Sequence, residues 1–202
     1  MSAAGAGTAF RQRETKVCPS SKTALDVEAV KTEAKIRRAA KGDVARLLRA
    51  TSRVCMPVDT VAIAHDLGIR VLGSKLKENT LGGLLMRPGD DPKIVLNARD
   101  GLLRRRLTCA LELGHYVRMS AKTNNYARAD LRGEPSYSAE EPENVYAREF
   151  AACLLMPEED VKIFAELGMD DLEMALQFLV PREAMQLRMK ALGLPAPELE
   201  VA

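Results

Sequence analysis

The sequence predicts an α+β fold in which a small three-stranded sheet packs on helices and a C-terminal helical hairpin follows. Two observations predict this class. Long segments repeat apolar residues at helical spacing, and three short apolar runs bounded by turn residues are typical of strands. With 47% hydrophobic and 29% charged residues, the 202-residue chain has the composition of a globular protein and can bury a core without disulfides.

The N-terminal quarter combines a polar tail with a long helix. Met1–Thr23 is rich in small, polar and basic residues, a composition typical of a disordered tail. Apolar residues recur at helical spacing through Ala24–Arg53, and we expect Gly42-Asp43 to divide this helix, with Asp43 capping the second part. Residues 1–50 carry eleven basic and five acidic side chains, which gives this quarter a net charge of +6.

The middle of the chain carries the predicted strands between helices. Pro57–Leu67 is predicted to be a helix that Gly68 ends as a C-cap. The strands are expected at Ile69–Leu72, Leu81–Met86 and Lys93–Leu96, with a proline- and glycine-rich turn at 88–92. Two long helices, Asp100–Arg118 and Pro142–Met156, are separated by the polar loop Ser120–Pro142, and Pro157 stops the second.

Three shorter helices are predicted at the C-terminal end. They cover Pro157–Leu167, Asp171–Phe178 and Arg182–Leu192, and the last two form a helical hairpin that resembles a helix–turn–helix. We expect three parts: residues 1–42 as a basic tail and helix, 43–157 as the main domain, and 158–202 as a C-terminal helical segment.

Composition excludes several classes of function. The net charge of +2 gives no overall attraction to nucleic acid or membrane. No apolar run approaches the roughly 20 residues of a membrane span, and Met1–Lys16 lacks the apolar stretch of a signal peptide, so we expect a cytoplasmic protein. The cysteines are too scattered for a disulfide framework or a cysteine-rich zinc site: Cys18, Cys55, Cys109 and Cys153.

One helical segment carries a degenerate metal-binding pattern. In Leu111-Glu112-Leu113-Gly114-His115, the side chains of Glu112 and His115 lie three residues apart and share a helix face. Zinc peptidases use His-Glu-x-x-His, in which two imidazoles bind the metal and the Glu takes a proton from the bound water. Leu111 stands at the first histidine position, and its side chain has no lone pair for zinc.

Separated motifs around this segment resemble the ImmA/IrrE metallopeptidase family. They are Leu67-Gly68-Ile69, Gly82-Gly83-Leu84, a strand ending in Asn97, the basic run Arg104–Arg106 before the Glu-Leu-Gly-His turn, and Glu143–Pro157 with its Phe-Ala-Ala-Cys-Leu-Leu-Met-Pro ending. The resemblance covers roughly residues 43–194. It implies a zincin-like core and a zinc-dependent endopeptidase that cleaves helix–turn–helix repressors of phages, mobile elements or stress regulons.

The resemblance also locates the third metal ligand, a glutamate at the start of the Pro142–Met156 helix. Alignment on Ala147 and Phe150 puts that position at Asn144, and one residue on a helix turns a side chain by about 100°, so Glu143 would point elsewhere. An amide oxygen is a poor zinc ligand beside a carboxylate. Two of three ligand positions therefore depart from the pattern, and His115 and the vestigial general base Glu112 remain. His65 is expected at the surface.

These residues favour a catalytically impaired, regulatory family member that binds a repressor or a related peptidase. A first alternative is an active peptidase with a non-standard ligand set: His115, Glu143 or Asn144, and a further ligand from the loop Ser120–Glu141, for example Asp130. A second is a DNA-binding regulator that uses Asp171–Leu194 and the basic N-terminus. The first hypothesis expects no cofactor and a protein partner; the alternatives expect zinc and DNA, respectively.

Overall fold

The computed structural model describes residues 22–51, 55–76, 81–120, 125–131 and 141–195, without the side chains of 22–27, 81–82, 130 and 131. Seven helices and four strands lie in these ranges. The helices are α1 (Lys22–Thr51), α2 (Thr60–Asp66), α3 (Leu102–Ser120), α4 (Pro142–Leu155), α5 (Glu158–Glu166), α6 (Asp171–Phe178) and α7 (Arg182–Ala191), and the strands are β1 (Arg70–Ser74), β2 (Leu81–Arg87), β3 (Lys93–Asn97) and β4 (Tyr126–Leu131). The α+β class is confirmed.

The sheet has four strands in the order β1-β3-β2-β4, so the predicted count of three is wrong. Strands β1 and β3 run parallel, whereas β2 is antiparallel to both β3 and β4. The fourth strand lies inside the predicted loop Ser120–Pro142. Its sequence, Tyr-Ala-Arg-Ala-Asp-Leu, has no continuous apolar run, and the strand forms because β2 supplies a partner for its backbone groups.

One face of the sheet packs on α3. Leu85 and Ile94 are directly paired across β2 and β3 and both side chains are 0% exposed. Gly83 on the same face comes so close to α3 that a methyl group built on it would lie 2.6 Å from Cγ2 of Thr108. The glycine therefore lets the strand approach the helix along the segment that carries the metal-binding pattern.

Helices α3 and α4 cross in contact at Gly114. A methyl group built there would lie 2.9 Å from Cα of Ala147 and 3.1 Å from Cβ of Phe150, so only glycine permits this approach. The apolar face predicted for α4 forms the core, as expected, and its members are buried: Val145, Ala147, Phe150, Ala151, Leu154 and Leu155. This crossing fixes the first turn of α4 over the C-terminal half of α3.

Helix α1 continues through residues 42–43, so the predicted break is wrong. A glycine inside a helix costs about 1 kcal/mol, and here burial of Ala40 and Val44 on either side offsets that cost. Asp43 caps no helix; its carboxylate accepts hydrogen bonds from the Tyr146 hydroxyl and the Arg46 guanidinium, which ties α1 to α4. The predicted tail lies outside the described residues except for its last two, which begin α1.

The C-terminal helices include the predicted hairpin, formed by α6 and α7. Asp170 begins α6 with a capping box in which Glu173 closes back on the Asp170 backbone. The chain turns at Leu179, in the left-handed region at φ 52°, and Val180 lies fully buried before α7. None of the described helices combines the length and apolarity that a membrane crossing requires. The three-part division of the chain stays a prediction.

Candidate functional site

Glu112 lies in the layer between α3 and the sheet. Its side chain is 0% exposed, and a methyl group built on Gly83 would lie 3.2 Å from its Oε1 atom. The nearness of β2 therefore holds this carboxylate against the inner face of the sheet. Glu112 is thus placed by packing, and Gly83 is the residue whose missing side chain makes room for it.

His115 lies one helical turn further along α3 and is 7% exposed. Its Nδ1 atom is buried, and no described residue offers it a hydrogen bond. The pKa of His115 is lowered to about 3, first because burial penalises the charged ring and then because the positive charge of Arg128 repels a proton. The negative charge of Glu143 opposes this shift. The imidazole is therefore neutral across the ordinary pH range.

The first turn of α4 brings the two candidates for the third ligand beside His115. Asn144 is buried at 4% exposure, and its Oδ1 atom accepts a hydrogen bond from the Arg128 guanidinium. Its Nδ2 atom donates to Glu141 at 3.4 Å. Glu143 is half-buried, and its charge acts on the His115 ring. Glu143 is therefore close enough to act on the imidazole, and the Asn144 oxygen at the third ligand position is already engaged by a cation.

Arg128 was not predicted from the sequence. It lies on β4, directly paired with Leu85, and paired residues of neighbouring strands point to the same face, which here is the face packed on α3. Its signal is the spacing of Tyr126 and Arg128, which lie two residues apart and so on one face of an extended segment. The absence of an apolar run hid this strand, and with it the arginine.

Leu111 brings no donor to the cluster. It is half-buried and lies beside Leu107 in the wall of a cavity lined by residues of α1, α3, α4 and α7. Asp130, which the active-peptidase alternative gives as an example of a further ligand, pairs through its backbone with Gly83, and its side chain is not among those that the structure describes.

The donor set does not fit the zinc ion that the motif implies. A catalytic zinc takes three protein ligands and leaves one position open. Among the residues with described side chains, no group of three His, Cys, Asp or Glu lies close enough to hold a metal. The Arg128 guanidinium beside Asn144 and His115 adds a fixed positive charge, which repels a second cation. The geometry around His115 supplies a neutral imidazole, an amide and a guanidinium, with the Glu143 carboxylate nearby.

Aromatic rings and a second arginine adjoin this cluster. The guanidinium carbon of Arg87 lies 5.7 Å from the centre of the Tyr116 ring, within the range of a cation–π contact. Arg87 pairs across the sheet with Tyr126, whose hydroxyl pKa is raised to about 12, first by burial and then by Tyr116. These side chains can hydrogen-bond and stack on a bound peptide, and the Tyr126 hydroxyl stays protonated at neutral pH.

The arginines of the basic run before the motif differ in their contacts. Arg104 is exposed, whereas Arg106 donates from Nη2 to the Val58 carbonyl at 2.9 Å and from Nε to the Leu179 carbonyl at 3.1 Å. Arg106 thus connects α3 to the segment before α2 and to the end of α6. His65 is exposed on α2, as expected.

Comparison with protein families identifies the part of the chain that forms the site. A family model described as the IrrE N-terminal-like domain, Peptidase M78, matches residues 64–190. That range begins in α2 and ends in α7, so it includes the whole sheet and both helices of the site. A comparison with curated proteins gives no match. The chain belongs to the ImmA/IrrE-type metallopeptidase family.

Proposed function

We propose that this chain is a catalytically impaired member of its family that regulates by binding a protein partner, a helix–turn–helix repressor or a related peptidase. The observation that carries the proposal is the contact between Arg128 and Asn144: a protein cation occupies the oxygen that aligns with a metal ligand. Leu111, at the first histidine position, offers no replacement. Without three ligands, Glu112 has no metal-bound water to deprotonate.

Retention of the packed scaffold supports binding. The close approach of Gly83 to Glu112 and of Gly114 to Ala147 keeps β2, α3 and α4 together around the His115 cluster. Strand β4 is an edge strand of the described sheet, and edge strands offer backbone groups to an extended peptide. Arg87 and Tyr116 supply a cation and an aromatic ring beside that edge. These groups favour an extended segment with acidic or aromatic side chains.

The active-peptidase alternative has one observation in its favour. The Glu143 charge acts on His115, so a carboxylate and an imidazole are close together. A third ligand would have to come from a position such as Asp130, and Arg128 would compete with the metal for Asn144 and Glu143. The alternative therefore predicts a zinc-dependent activity that chelators abolish.

The DNA-binding alternative receives less support from α6 and α7. The Arg182 guanidinium makes two hydrogen bonds of 2.8 Å to the Asp171 carboxylate. Arg188 is 4% exposed and donates to the Met156 carbonyl at 3.0 Å. Two of the three basic side chains of α7 are thus engaged within the protein, and Lys190 alone leaves little charge for phosphate contacts.

The test is a binding and cleavage assay with a helix–turn–helix repressor encoded beside this gene. Calorimetry of the full chain with that repressor is expected to give a dissociation constant in the micromolar range or tighter, without cleavage on a gel when zinc is added. Arg87→Ala is expected to weaken binding, whereas the exposed control Arg99→Ala leaves it unchanged. Cleavage that a chelator abolishes would overturn the proposal.

A further inference from the structure

The cavity lined by Leu107 and Leu111 takes its wall from helices, and no residue of the described strands lines it. Its volume is about 460 Å³, and helices α1, α3, α4 and α7 all contribute to its wall. Glu112, His115, Asn144 and Arg128 are not among the residues that line it. The cavity is therefore separate from the cluster described above, and its size falls in the range of small-molecule sites, roughly 300–1,000 Å³.

The floor of this cavity is apolar. Leu107 and Leu111 are one helical turn apart on α3, and Val145 and Ala152 face them from α4. The leucine that removes the first metal ligand thus extends an apolar ridge into the cavity. Such a floor favours an aliphatic or aromatic body in a ligand, since each buried methylene group contributes about 0.8 kcal/mol.

The wall of the cavity carries more basic than acidic side chains. Glu149 is buried between Arg37, at 3.4 Å, and Arg188, at 3.5 Å, and Arg37 also pairs with Glu33 at 2.6 Å.

Arg104 and Arg148 have no carboxylate partner among the described residues; Arg148 donates only to the Asn144 carbonyl, at 3.2 Å. Four arginines thus face two glutamates in the wall, and the surplus charge is positive. An apolar floor below two uncompensated guanidinium groups fits a ligand with an apolar body and a negatively charged end.

We propose that this cavity binds a small amphipathic carboxylate, with its aliphatic body on Leu107 and Leu111 and its carboxylate on Arg104 and Arg148. Guanidinium groups hold carboxylates through paired N–H donors, which gives the charged end a defined place. Walls from four helices favour a small molecule over a protein segment, because peptide recognition uses a sheet edge or a long open groove. The inference does not rest on the loss of zinc.

Binding is measured by calorimetry with dodecanoate below its micelle concentration, and dodecanol and dodecylamine serve as matched ligands without the negative charge. We expect a dissociation constant of about 100 μM or tighter for dodecanoate. Decanoate, two methylene groups shorter, is expected to bind about 15-fold more weakly. Equal affinity for all three twelve-carbon ligands, or no saturable binding up to about 1 mM dodecanoate, overturns the proposal.

The variants test where the carboxylate lies. Arg104→Gln with Arg148→Gln is expected to weaken dodecanoate binding at least about tenfold. The control, Arg38→Gln with Arg99→Gln, removes the same charge at exposed positions outside the cavity and is expected to bind within about twofold of the wild type. Circular dichroism confirms that both fold. Unchanged affinity in the first pair, or binding of an acidic leucine-containing peptide but not of dodecanoate, contradicts the proposal.

Discussion

Two regions of the contact between α3 and α4 differ sharply, although they are one residue apart. At Gly114, the helices approach so closely that a methyl group would meet the Ala147 backbone at 2.9 Å. At the donor cluster around His115, an amide and an arginine stand where the motif implies a carboxylate and a metal. The helix crossing is thus present without the full set of metal ligands. Packing at the crossing depends on the shapes of the side chains, whereas metal binding depends on their lone pairs.

Restoration of the donors would sharpen this comparison most. Leu111→His with Asn144→Glu is expected to raise zinc affinity at least about 10³-fold, or about 4 kcal/mol, because two first-shell ligands return to an intact scaffold. Adding Arg128→Ala is expected to gain about 10-fold more, since the guanidinium otherwise pairs with the new carboxylate at position 144. Competition with a chromophoric chelator measures both steps.

The control for that series is Arg128→Ala in the otherwise unchanged chain. It should leave zinc binding weak, because His115 alone cannot hold the ion. A well-folded double variant that gains no affinity would show that the third ligand is misplaced, with Glu143 as the next position to test.

The crossing itself can be broken at Gly114. Gly114→Ala is expected to cost about 1–3 kcal/mol of unfolding free energy, because the added methyl overpacks against Ala147 and Phe150. Gly42→Ala is the matched control: it lies inside α1 with nothing within 4 Å, and it should stabilise by about 0.5–1 kcal/mol. Denaturant unfolding measures both, and equal effects would contradict the close approach.

The connection made by Arg106 should have a smaller effect. Arg106→Met keeps the aliphatic stem and removes the donors to the Val58 and Leu179 carbonyls, at an expected cost of about 1–2 kcal/mol. Arg99→Met, at an exposed position, should stay within about 0.5 kcal/mol. The midpoints of thermal unfolding compare the two variants. An unchanged midpoint for Arg106→Met would show that these hydrogen bonds do not stabilise the fold.

The smallest expected change is in the pH dependence of the unfolding free energy, through the contact between α6 and α7. Hydrogen bonds from Arg182 lower the pKa of the buried Asp171 carboxyl below its usual value. The ionised carboxylate therefore contributes stability above the unfolded pKa, near 3.9, and this contribution is lost as pH falls through the lower folded value. Arg182→Gln should reduce the unfolding free energy at neutral pH and flatten its dependence on pH below about pH 4. Parallel curves of unfolding free energy against pH for the variant and the wild type would contradict this role of the Arg182–Asp171 contact.

The sequence predicted the helices well, and placed Glu112 and His115 on one of them, because these patterns are local. Glu112 and His115 follow from spacing on one helix, and the buried face of α4 follows from its periodicity. Strand β4 and Arg128 were missed because their positions depend on pairing with β2, which no local pattern encodes. The break predicted at Gly42 failed since burial along α1 outweighs the local cost of the glycine.

The cavity lined by Leu107 and Leu111 was missed for a similar reason. From the sequence, Leu111 was considered only as the residue at the first histidine position, whereas its side chain lies in the wall of a cavity completed by α1 and α7. Helices distant in sequence meet there, and their side chains share no local signature.

Metal analysis of the native chain, purified without a histidine tag and without added chelator, tests the central claim most directly. An amide held by Arg128, a leucine and one imidazole are expected to retain zinc at less than about 0.1 ion per chain. A content near one zinc per chain, lost together with His115→Ala, would contradict the account.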